Sequence, residues 1–262
     1  MHPLPDEFAE PLARAGGRLG LFVRGVAWYA EVPSTNDVAG RMAEHGAPEG
    51  CVVAANAQST GRGRHGRDWS SPAGAGLYVS VVLRPAAHVV PLLTIAAGVA
   101  IAEGVRAATG LVSRVKWPND VYVGDRKLAG ILAEAGASPD GAPHVILGFG
   151  INVLRAAYPP DVAARATSLD TELGRAPDRG LVLSECLAAL AARYADLQQG
   201  RRASVIEAWR ACAAPIRGRA VEWEGPGSTR RGVAEDLDAD GALLVRTPQG
   251  TVRIISGEVR WL

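Results

Sequence analysis

The chain has 262 residues, of which 48% are hydrophobic and 21% are charged, and its formal net charge is +1. These proportions are those of an ordinary globular protein with one large domain, or with a large and a small domain. A net charge so close to zero excludes a whole-molecule electrostatic attraction to nucleic acid or to an anionic membrane.

The cysteines Cys51, Cys186 and Cys212 are far apart and form no C-x-x-C pair. They predict neither a disulfide framework nor a zinc site, and they fit a reducing compartment. The N-terminus lacks the basic and apolar regions of a signal peptide. The most apolar stretch, residues 89–102, is too short to span a bilayer. We therefore expect a cytoplasmic protein without a membrane partner.

The first 155 residues predict a sheet with few helices, because apolar runs of strand length outnumber stretches with helical spacing. In chain order we expect an irregular or partly helical lead-in (1–20), strands (21–23 and 26–29), a helix (34–46), strands (51–55 and 77–83), a helix (92–110) and strands (111–117, 121–123, 128–133 and 145–153). The last four strands follow one another with tight turns. This spacing predicts antiparallel pairing rather than repeated β-α-β units.

The remainder predicts two amphipathic helices and then a small β-rich unit. The helices cover residues 183–197 and a segment around 205–209 that ends near Pro215. Short strands with Asp-Gly and Gln-Gly turns follow: 220–223, 232–236, 243–246, 252–255 and 259–262. Such a run suggests a small separate β-barrel. We place the domain boundary at Pro215, giving domains 1–214 and 215–262.

One loop stands out in this plan, the segment GRGRHGR at 61–67. Its glycines permit a close approach of the backbone to a ligand, and its guanidinium groups are planar donors for phosphate or carboxylate. A solvated basic turn and an RGG-like nucleic-acid segment are alternatives, although the latter usually occurs in repeats with aromatic residues. We interpret the loop as an anion clamp because of the other polar motifs in the chain.

Those motifs lie before and after the loop. Ser34-Thr35-Asn36-Asp37 is a capping-box pattern, which by itself predicts only a helix N-terminus. KWPND at 116–120 is a turn, and KLAGIL at 127–132 opens a strand. Lys127 borders apolar residues, so it either points to water at a strand edge or has an anionic partner. No Walker or dinucleotide motif is present, so catalysis by positioning and charge stabilisation is expected.

The series Ser34-Thr35-Asn36, GRGRHGR with Trp69, KWPND, KLAGIL and GFGINV at 148–153 resembles the motif series of biotin protein ligases in order and spacing. The likeness is close over residues 30–155. It implies an α+β fold with a mixed, largely antiparallel sheet, related to class II aminoacyl-tRNA synthetases, followed by an SH3-like barrel. It also implies that biotin and Mg-ATP form biotinyl-5′-AMP, from which biotin passes to a lysine of a carboxylase's biotin carboxyl carrier domain.

The resemblance also implies roles for individual residues. It assigns the biotin-binding role to Ser34, Thr35, Asn36, Gln58, Arg62, Gly63, Arg64, Lys127 and Gly130. It assigns ATP and adenylate binding to Arg64, Arg67, Trp69, Lys116, Asn119, Asp120, Lys127 and Asn152. The catalytic residues would be Arg64, Arg67 and Lys127, while magnesium would be carried mainly by the ATP phosphates. His65 departs from the family, in which arginine is frequent at this position, and we interpret it as a spacer.

Some members of that family carry an N-terminal winged helix that binds DNA. Only 33 residues precede Ser34 and they show no helix-turn-helix pattern, so we expect no sequence-specific nucleic-acid binding. A lipoate or octanoate ligase of the same fold, and a catalytically inactive biotin-binding or carrier-docking module, remain alternatives. The sequence leaves the choice between monomer and homodimer open.

Overall fold

The computed structural model of the protein describes residues 1–225, 228–255, 257 and 259–262. The α-helices are α1 (Asp6–Ala15), α2 (Thr35–Glu44), α3 (Leu93–Thr109), α4 (Leu169–Leu173), α5 (Arg179–Gln198) and α6 (Arg202–Cys212). The strands are β1 (Val26–Val32), β2 (Val52–Gln58), β3 (Gly76–Leu83), β4 (Arg114–Lys116), β5 (Asp120–Val123), β6 (Arg126–Ala137), β7 (Pro143–Asn152), β8 (Ala220–Gly225), β9 (Ser228–Leu237), β10 (Leu243–Thr247), β11 (Gly250–Ile254) and β12 (Val259–Trp261).

Strands β1 to β7 form a seven-stranded sheet in the order β1-β2-β3-β7-β6-β5-β4. Only β1 and β2 pair in parallel, joined by α2 as a β-α-β unit, and the other pairs are antiparallel. The longest pairing joins β3 to β7, from Gly76 opposite Asn152 to Leu83 opposite Val145. The predicted mixed, largely antiparallel sheet is thus confirmed.

One face of the sheet carries the main hydrophobic core. Leu77, Val79, Val81 and Leu83 alternate along β3 and belong to this core together with α3 and α5. The two helices touch closely, because a Cβ at Gly104 would lie 2.5 Å from the Cys186 Cα. The stretch Val90–Thr109 has the length and composition of a membrane span, but most of it is buried in this core. Here it is a core helix.

The opposite face is only partly covered. Helix α2 packs across β2, β3, β7 and β6, and a small second core lies beneath it. The rest of this face, towards the end of β7 at Asn152, is left to polar residues and to the loop at 61–69. The sheet therefore separates a structural side from a side that is available for chemistry.

The predicted strand at 21–23 is wrong. These residues lie in a 3-10 segment, Gly16–Arg24, that follows α1 and packs against α5. Gly20 has a φ of 52° and Gly25 a φ of 108°, conformations that interrupt an extended chain. Phe22 alone of the apolar run is fully buried, while Val23 is exposed. The segment is thus a tight 3-10 coil in which Phe22 is the one fully buried side chain of the run 21–23.

Strands β8 to β12 form a second, antiparallel sheet in the order β11-β10-β9-β8-β12. It agrees with the predicted small β-barrel. This second sheet contacts the part of the chain that precedes it, since Trp117 Nε1 donates to the Gly241 carbonyl at 3.0 Å and Arg210 Nε donates to Asp236 at 3.0 Å. A division of the chain at 214/215 remains a proposal.

Candidate active site

Glycines on β6 and β7 make a shallow floor on the partly covered face of the sheet. A Cβ at Gly148 would overlap the Asn36 amide, and one at Gly150 would overlap the Trp69 indole. At Gly130 an added Cβ would lie 3.1 Å from Trp69 Cζ3 and 3.2 Å from Lys127 Nζ. Side chains from α2, the arginine loop and β6 can therefore lie flat on the sheet only because these three positions lack side chains.

A cluster of uncharged polar side chains, bordered by the Glu134 carboxylate, occupies one end of the floor. Gln58 Oε1 accepts from the Thr35 backbone N–H at 2.8 Å and from the Thr35 hydroxyl at 3.1 Å. Asn36 Oδ1 accepts from Ser80 Oγ at 2.6 Å, and Asn36 Nδ2 donates to Glu134 at 2.6 Å. Thr35, Asn36 and Ser80 are buried. The predicted residues Thr35, Asn36 and Gln58 are thus brought together in one hydrogen-bonded network that runs through Ser80.

Ser34 lies at the start of α2 but does not act as the predicted capping box. It is buried, and the side chain of the N-cap residue makes no capping hydrogen bond. Asp37, the expected reciprocal partner, faces the arginine loop instead. The helix begins where the pattern predicts, with its first turn placed over the sheet beside the amide network.

The arginine loop is a small hairpin. The Gly63 N–H donates to the Arg67 carbonyl at 2.7 Å, and the Trp69 N–H donates to the Gly61 carbonyl at 2.8 Å. His65 at its tip has a φ of 57°, which is uncommon for a residue other than glycine. Arg67 is exposed at the tip. The hairpin carries Trp69 at its base down onto the glycine floor.

The two flanks of the hairpin are held by different parts of the molecule. Arg62 donates both Nη groups to the Asp37 carboxylate, at 3.0 Å and 2.6 Å. Arg64 donates from Nη1 to Asn119 Oδ1 at 3.2 Å and from Nη2 to the Gly257 carbonyl at 3.1 Å. The loop therefore bridges α2, the KWPND turn and Gly257, which lies between β11 and β12.

Lys127 resolves the alternatives that the sequence left open. Its side chain is 31% exposed, and Nζ lies 2.7 Å from Asp120 Oδ1. Nζ also lies 5.4 Å from the centre of the Trp69 ring. The cation is therefore paired and half-buried at the floor beside Gly130, not directed into solvent. Its carboxylate partner belongs to the KWPND motif.

Lys116, at the other end of that motif, lies beside Tyr122, with Nζ 4.8 Å from the ring centre. Burial lowers the pKa of Lys116, an effect opposed by the nearby Asp120 carboxylate. Burial also raises the pKa of Tyr122 to about 12, so this phenol stays neutral at physiological pH. The pair places a second cation on the same side of the site as Lys127.

The two asparagines predicted for the site, Asn119 and Asn152, are buried, and their side-chain amides donate hydrogen bonds to backbone carbonyls. Asn119 Nδ2 donates to the Ile131 carbonyl at 2.7 Å. Asn152 Nδ2 donates to the Thr167 carbonyl at 2.9 Å and faces the Lys127 carbonyl at 3.5 Å. Asn152 thus ties the segment that follows β7 to the strand that carries Lys127.

Two members of the site were not predicted from the sequence. Ser80 sits in an apolar strand, where the only signal was a hydroxyl on the face opposite to Leu77, Val79 and Val81. Glu134 lies on β6 beyond the KLAGIL motif, and its carboxylate accepts from Asn36 and approaches Arg62 Nη2 at 3.6 Å. An isolated acid in a strand of small residues carries no motif that would identify it.

The groups of the site are arranged in order along strand β7. Gly148, Gly150 and Asn152 share one face and underlie the amide network, the Trp69 indole and the Lys127 backbone in turn. At about 3.4 Å per residue this row spans about 14 Å. One end is a neutral hydrogen-bonding pocket and the other is cationic. Among the residues that the structure describes, no three His, Cys, Asp or Glu side chains form a metal cluster.

This combination suits an acid-activating ligase, because a carboxylate and the phosphates of a nucleotide repel each other unless cations offset their charge. Comparison of the sequence with known protein families leads to the same class of enzyme. Residues 28–152 match the model of the Biotin/lipoate A/B protein ligase family, and residues 217–260 match that of the biotin protein ligase C-terminal domain.

Individual relatives are similar over nearly the whole chain. The biotin–[acetyl-CoA-carboxylase] ligase of Mycobacterium tuberculosis is 37% identical, with 97% of each chain covered. The bifunctional ligase/repressor BirA of Bacillus spizizenii is 33% identical over 97% of this chain and 79% of its own length. The Aquifex aeolicus biotin protein ligase, solved with biotin and ATP, superposes with a TM-score of 0.76 at 29% identity, covering 91% of this chain and 99% of that one. The chain belongs to the biotin protein ligase family.

Proposed function

We propose that the protein attaches biotin to a protein lysine in two steps. A biotin carboxylate oxygen attacks the α-phosphorus of ATP, the bond to the pyrophosphate oxygen breaks, and biotinyl-5′-AMP forms. The lysine amine then attacks the acyl carbon and AMP leaves. The first step joins two anionic groups, so its chief requirement is cationic stabilisation rather than a nucleophilic side chain.

The neutral end of the floor suits the ureido ring of biotin, which offers one carbonyl and two N–H groups. We assign it to Thr35, Asn36, Gln58 and Ser80, with Ser34 at the helix start. These side chains already hold each other at 2.6–3.1 Å, so the pocket is preorganised. The loop residues Arg62 and Gly63 cover this end, and Gly130 leaves room beneath the acyl chain.

The cationic end suits the nucleotide. We assign Lys127 to the biotin carboxylate and the α-phosphate, since its ammonium lies on the floor where the two would meet. Arg64 and Arg67 are assigned to the departing pyrophosphate. The Trp69 indole and the side chains of Lys116, Asn119, Asp120 and Asn152 surround the remaining space for adenine and ribose. Magnesium, carried by the ATP phosphates, would offset further negative charge.

The single observation that carries this assignment is the order along β7, with neutral amides at Gly148, an aromatic ring at Gly150 and a paired lysine near Asn152. It matches a substrate with a neutral polar ring at one end and an acyl phosphate at the other. The match of residues 217–260 to a biotin protein ligase C-terminal domain favours biotin over lipoate.

We further propose that the acceptor is the biotin carboxyl carrier domain of a biotin-dependent carboxylase and that the reaction takes place in the cytoplasm. Nucleic acid is not expected as a partner, since the net charge is +1. The protein would act as a monomer or a homodimer.

ATP–pyrophosphate exchange tests the first step. The purified protein is assayed with magnesium and with biotin, lipoate or no acid. The proposal predicts exchange with biotin alone. Exchange only with lipoate would transfer the assignment to the related lipoate activity, and no exchange with either acid would leave a binding module without catalysis.

A further inference from the structure

Asp37 has no role in the function described so far, yet its side chain is fully engaged. The predicted capping bond is absent, and both carboxylate oxygens accept from the two Nη groups of Arg62 at 3.0 Å and 2.6 Å. We propose that Asp37 is a positioning residue that holds the arginine loop closed over the biotin end of the site through Arg62. This inference rests on the proposed function for its consequence but not for its geometry.

The contact is more than a chance surface ion pair. It is bidentate, the geometry in which arginine and carboxylate interact most strongly. The side chains are only 37% and 32% exposed, for Arg62 and Asp37 respectively. The Arg62 hydrogen bonds lower the pKa of the Asp37 carboxyl, an effect opposed in part by burial. The pair is therefore ionised and formed at physiological pH.

Its position couples the loop to the biotin pocket. Asp37 follows Asn36 on the first turn of α2, so the turn that supplies the pocket amide also supplies the loop anchor. Glu134 links the same two elements, because it accepts from Asn36 Nδ2 at 2.6 Å and lies 3.6 Å from Arg62 Nη2. Arg62, Asp37, Asn36 and Glu134 thus form a closed ring of contacts around one edge of the pocket.

The hairpin needs such an anchor. Arg62 lies between Gly61 and Gly63, and glycine offers the backbone little resistance to opening. The hydrogen bonds at Gly63–Arg67 and Trp69–Gly61 fix the shape of the hairpin but not its position over the sheet. The Asp37 contact fixes the flank next to the biotin end, and the Arg64 contacts to Asn119 and Gly257 fix the other flank.

Opening the loop for substrate entry must break the Arg62–Asp37 pair, and re-forming it would retain the adenylate until the acceptor arrives. Asp37→Asn removes the charge but keeps the size. Because a partly exposed ion pair is a modest contact, we expect loop opening and adenylate escape to become about fivefold faster. The KM for biotin rises by a similar factor, while kcat of the exchange reaction changes little.

Trypsin tests the anchor without any ligand, since Arg62, Arg64 and Arg67 are themselves cleavage sites. Cleavage within 62–67, followed by mass spectrometry, should be about fivefold faster in Asp37→Asn and close to wild type in Asp37→Glu. Glu185→Gln is the matched control, because it disrupts the bidentate pair with Arg18 at 2.7 Å and 2.9 Å, on α5 away from the loop. Equal cleavage of wild type and Asp37→Asn would overturn the proposal.

Release of labelled biotinyl-5′-AMP, followed by gel filtration with a chase of unlabelled biotin, tests the consequence. Faster release from Asp37→Asn with rescue by Asp37→Glu supports the anchor, whereas equal release refutes its role in retention. A wild-type protein that forms no adenylate would contradict the proposed function, and the trypsin comparison would still decide whether Asp37 holds the loop.

Discussion

Replacing Gly148 by alanine tests the glycine floor, because the added methyl group points directly at the biotin-side amide. A Cβ at this position would lie 2.9 Å from Asn36 Cγ and 3.1 Å from Asn36 Nδ2, and it would overlap Oδ1. Gly148 is on a central strand that pairs on both sides, so its backbone cannot move away. Asn36 must shift instead, away from Ser80 and Glu134.

The magnitude follows from the contacts that are lost. Overfilling a packed site costs about 1–3 kcal/mol. Asn36 would also weaken two hydrogen bonds of 2.6 Å, one of them to a carboxylate. We expect a loss of about 2 kcal/mol in biotin binding, which corresponds to a roughly 30-fold rise in the KM for biotin. Unfolding stability should fall by a similar amount.

The assay is biotin-dependent ATP–pyrophosphate exchange, combined with urea unfolding of the same preparation. Gly40→Ala, on the helix α2 that also carries Asn36, is the control, since a Cβ at Gly40 meets nothing within 4 Å. It should leave the KM unchanged and raise the stability by about 0.5–1 kcal/mol. A folded Gly148→Ala protein with the wild-type KM for biotin would refute the placement of the biotin pocket at Asn36.

Three further predictions follow from the site and its supports. Lys127→Met should lower the rate of biotin-dependent exchange by about 100-fold or more while the circular dichroism spectrum is unchanged; a near-normal rate would show that its charge is dispensable. Trp117→Phe should lower the unfolding free energy by about 1–3 kcal/mol more than Trp209→Phe does. The reason is that Trp117 Nε1 donates to the buried Gly241 carbonyl, while Trp209 Nε1 has no partner among the described residues. Equal losses of unfolding free energy in urea would contradict this prediction. Arg62 depresses the folded-state pKa of Asp37, so the stability that the ion pair contributes is present above the unfolded-state pKa of about 4 and is lost as the pH falls through the folded-state pKa. The difference in unfolding free energy between wild type and Asp37→Asn should therefore be constant from about pH 6 to 8 and shrink below about pH 4. A difference that disappears by about pH 6 would exclude the ion pair as its source.

The antiparallel pairing of the consecutive strands β4, β5, β6 and β7 was predictable because its signals are local. Apolar runs of strand length joined by tight turns predict pairing between neighbours in the chain. The parallel pairing of β1 with β2 was not predictable in this way, since it depends on how α2 crosses the sheet. The run 21–23 has the composition of a strand, but glycines with positive φ at 20 and 25 coil it against α5.

Residues of the site that belong to a sequence motif were predictable. Residues that occur as single polar side chains outside a motif were not. GRGRHGR, KWPND and KLAGIL converge on the glycine floor, as their chemistry suggested. Ser80 and Glu134 were missed because neither belongs to a motif, and only the register of β3, β6 and β7 brings them to Asn36. Asp37 was assigned to helix capping because local pattern could not reveal an arginine 25 residues later in the chain.

The most direct test of the whole account is the intact mass of a biotin carboxyl carrier domain after incubation with the protein, biotin and Mg-ATP. We expect the mass increase of one biotinyl group on a single lysine, dependent on both biotin and ATP. An unmodified carrier domain in the presence of protein that forms biotinyl-5′-AMP would contradict the proposed transfer to that acceptor. Modification by lipoate in place of biotin would contradict the assignment of the pocket.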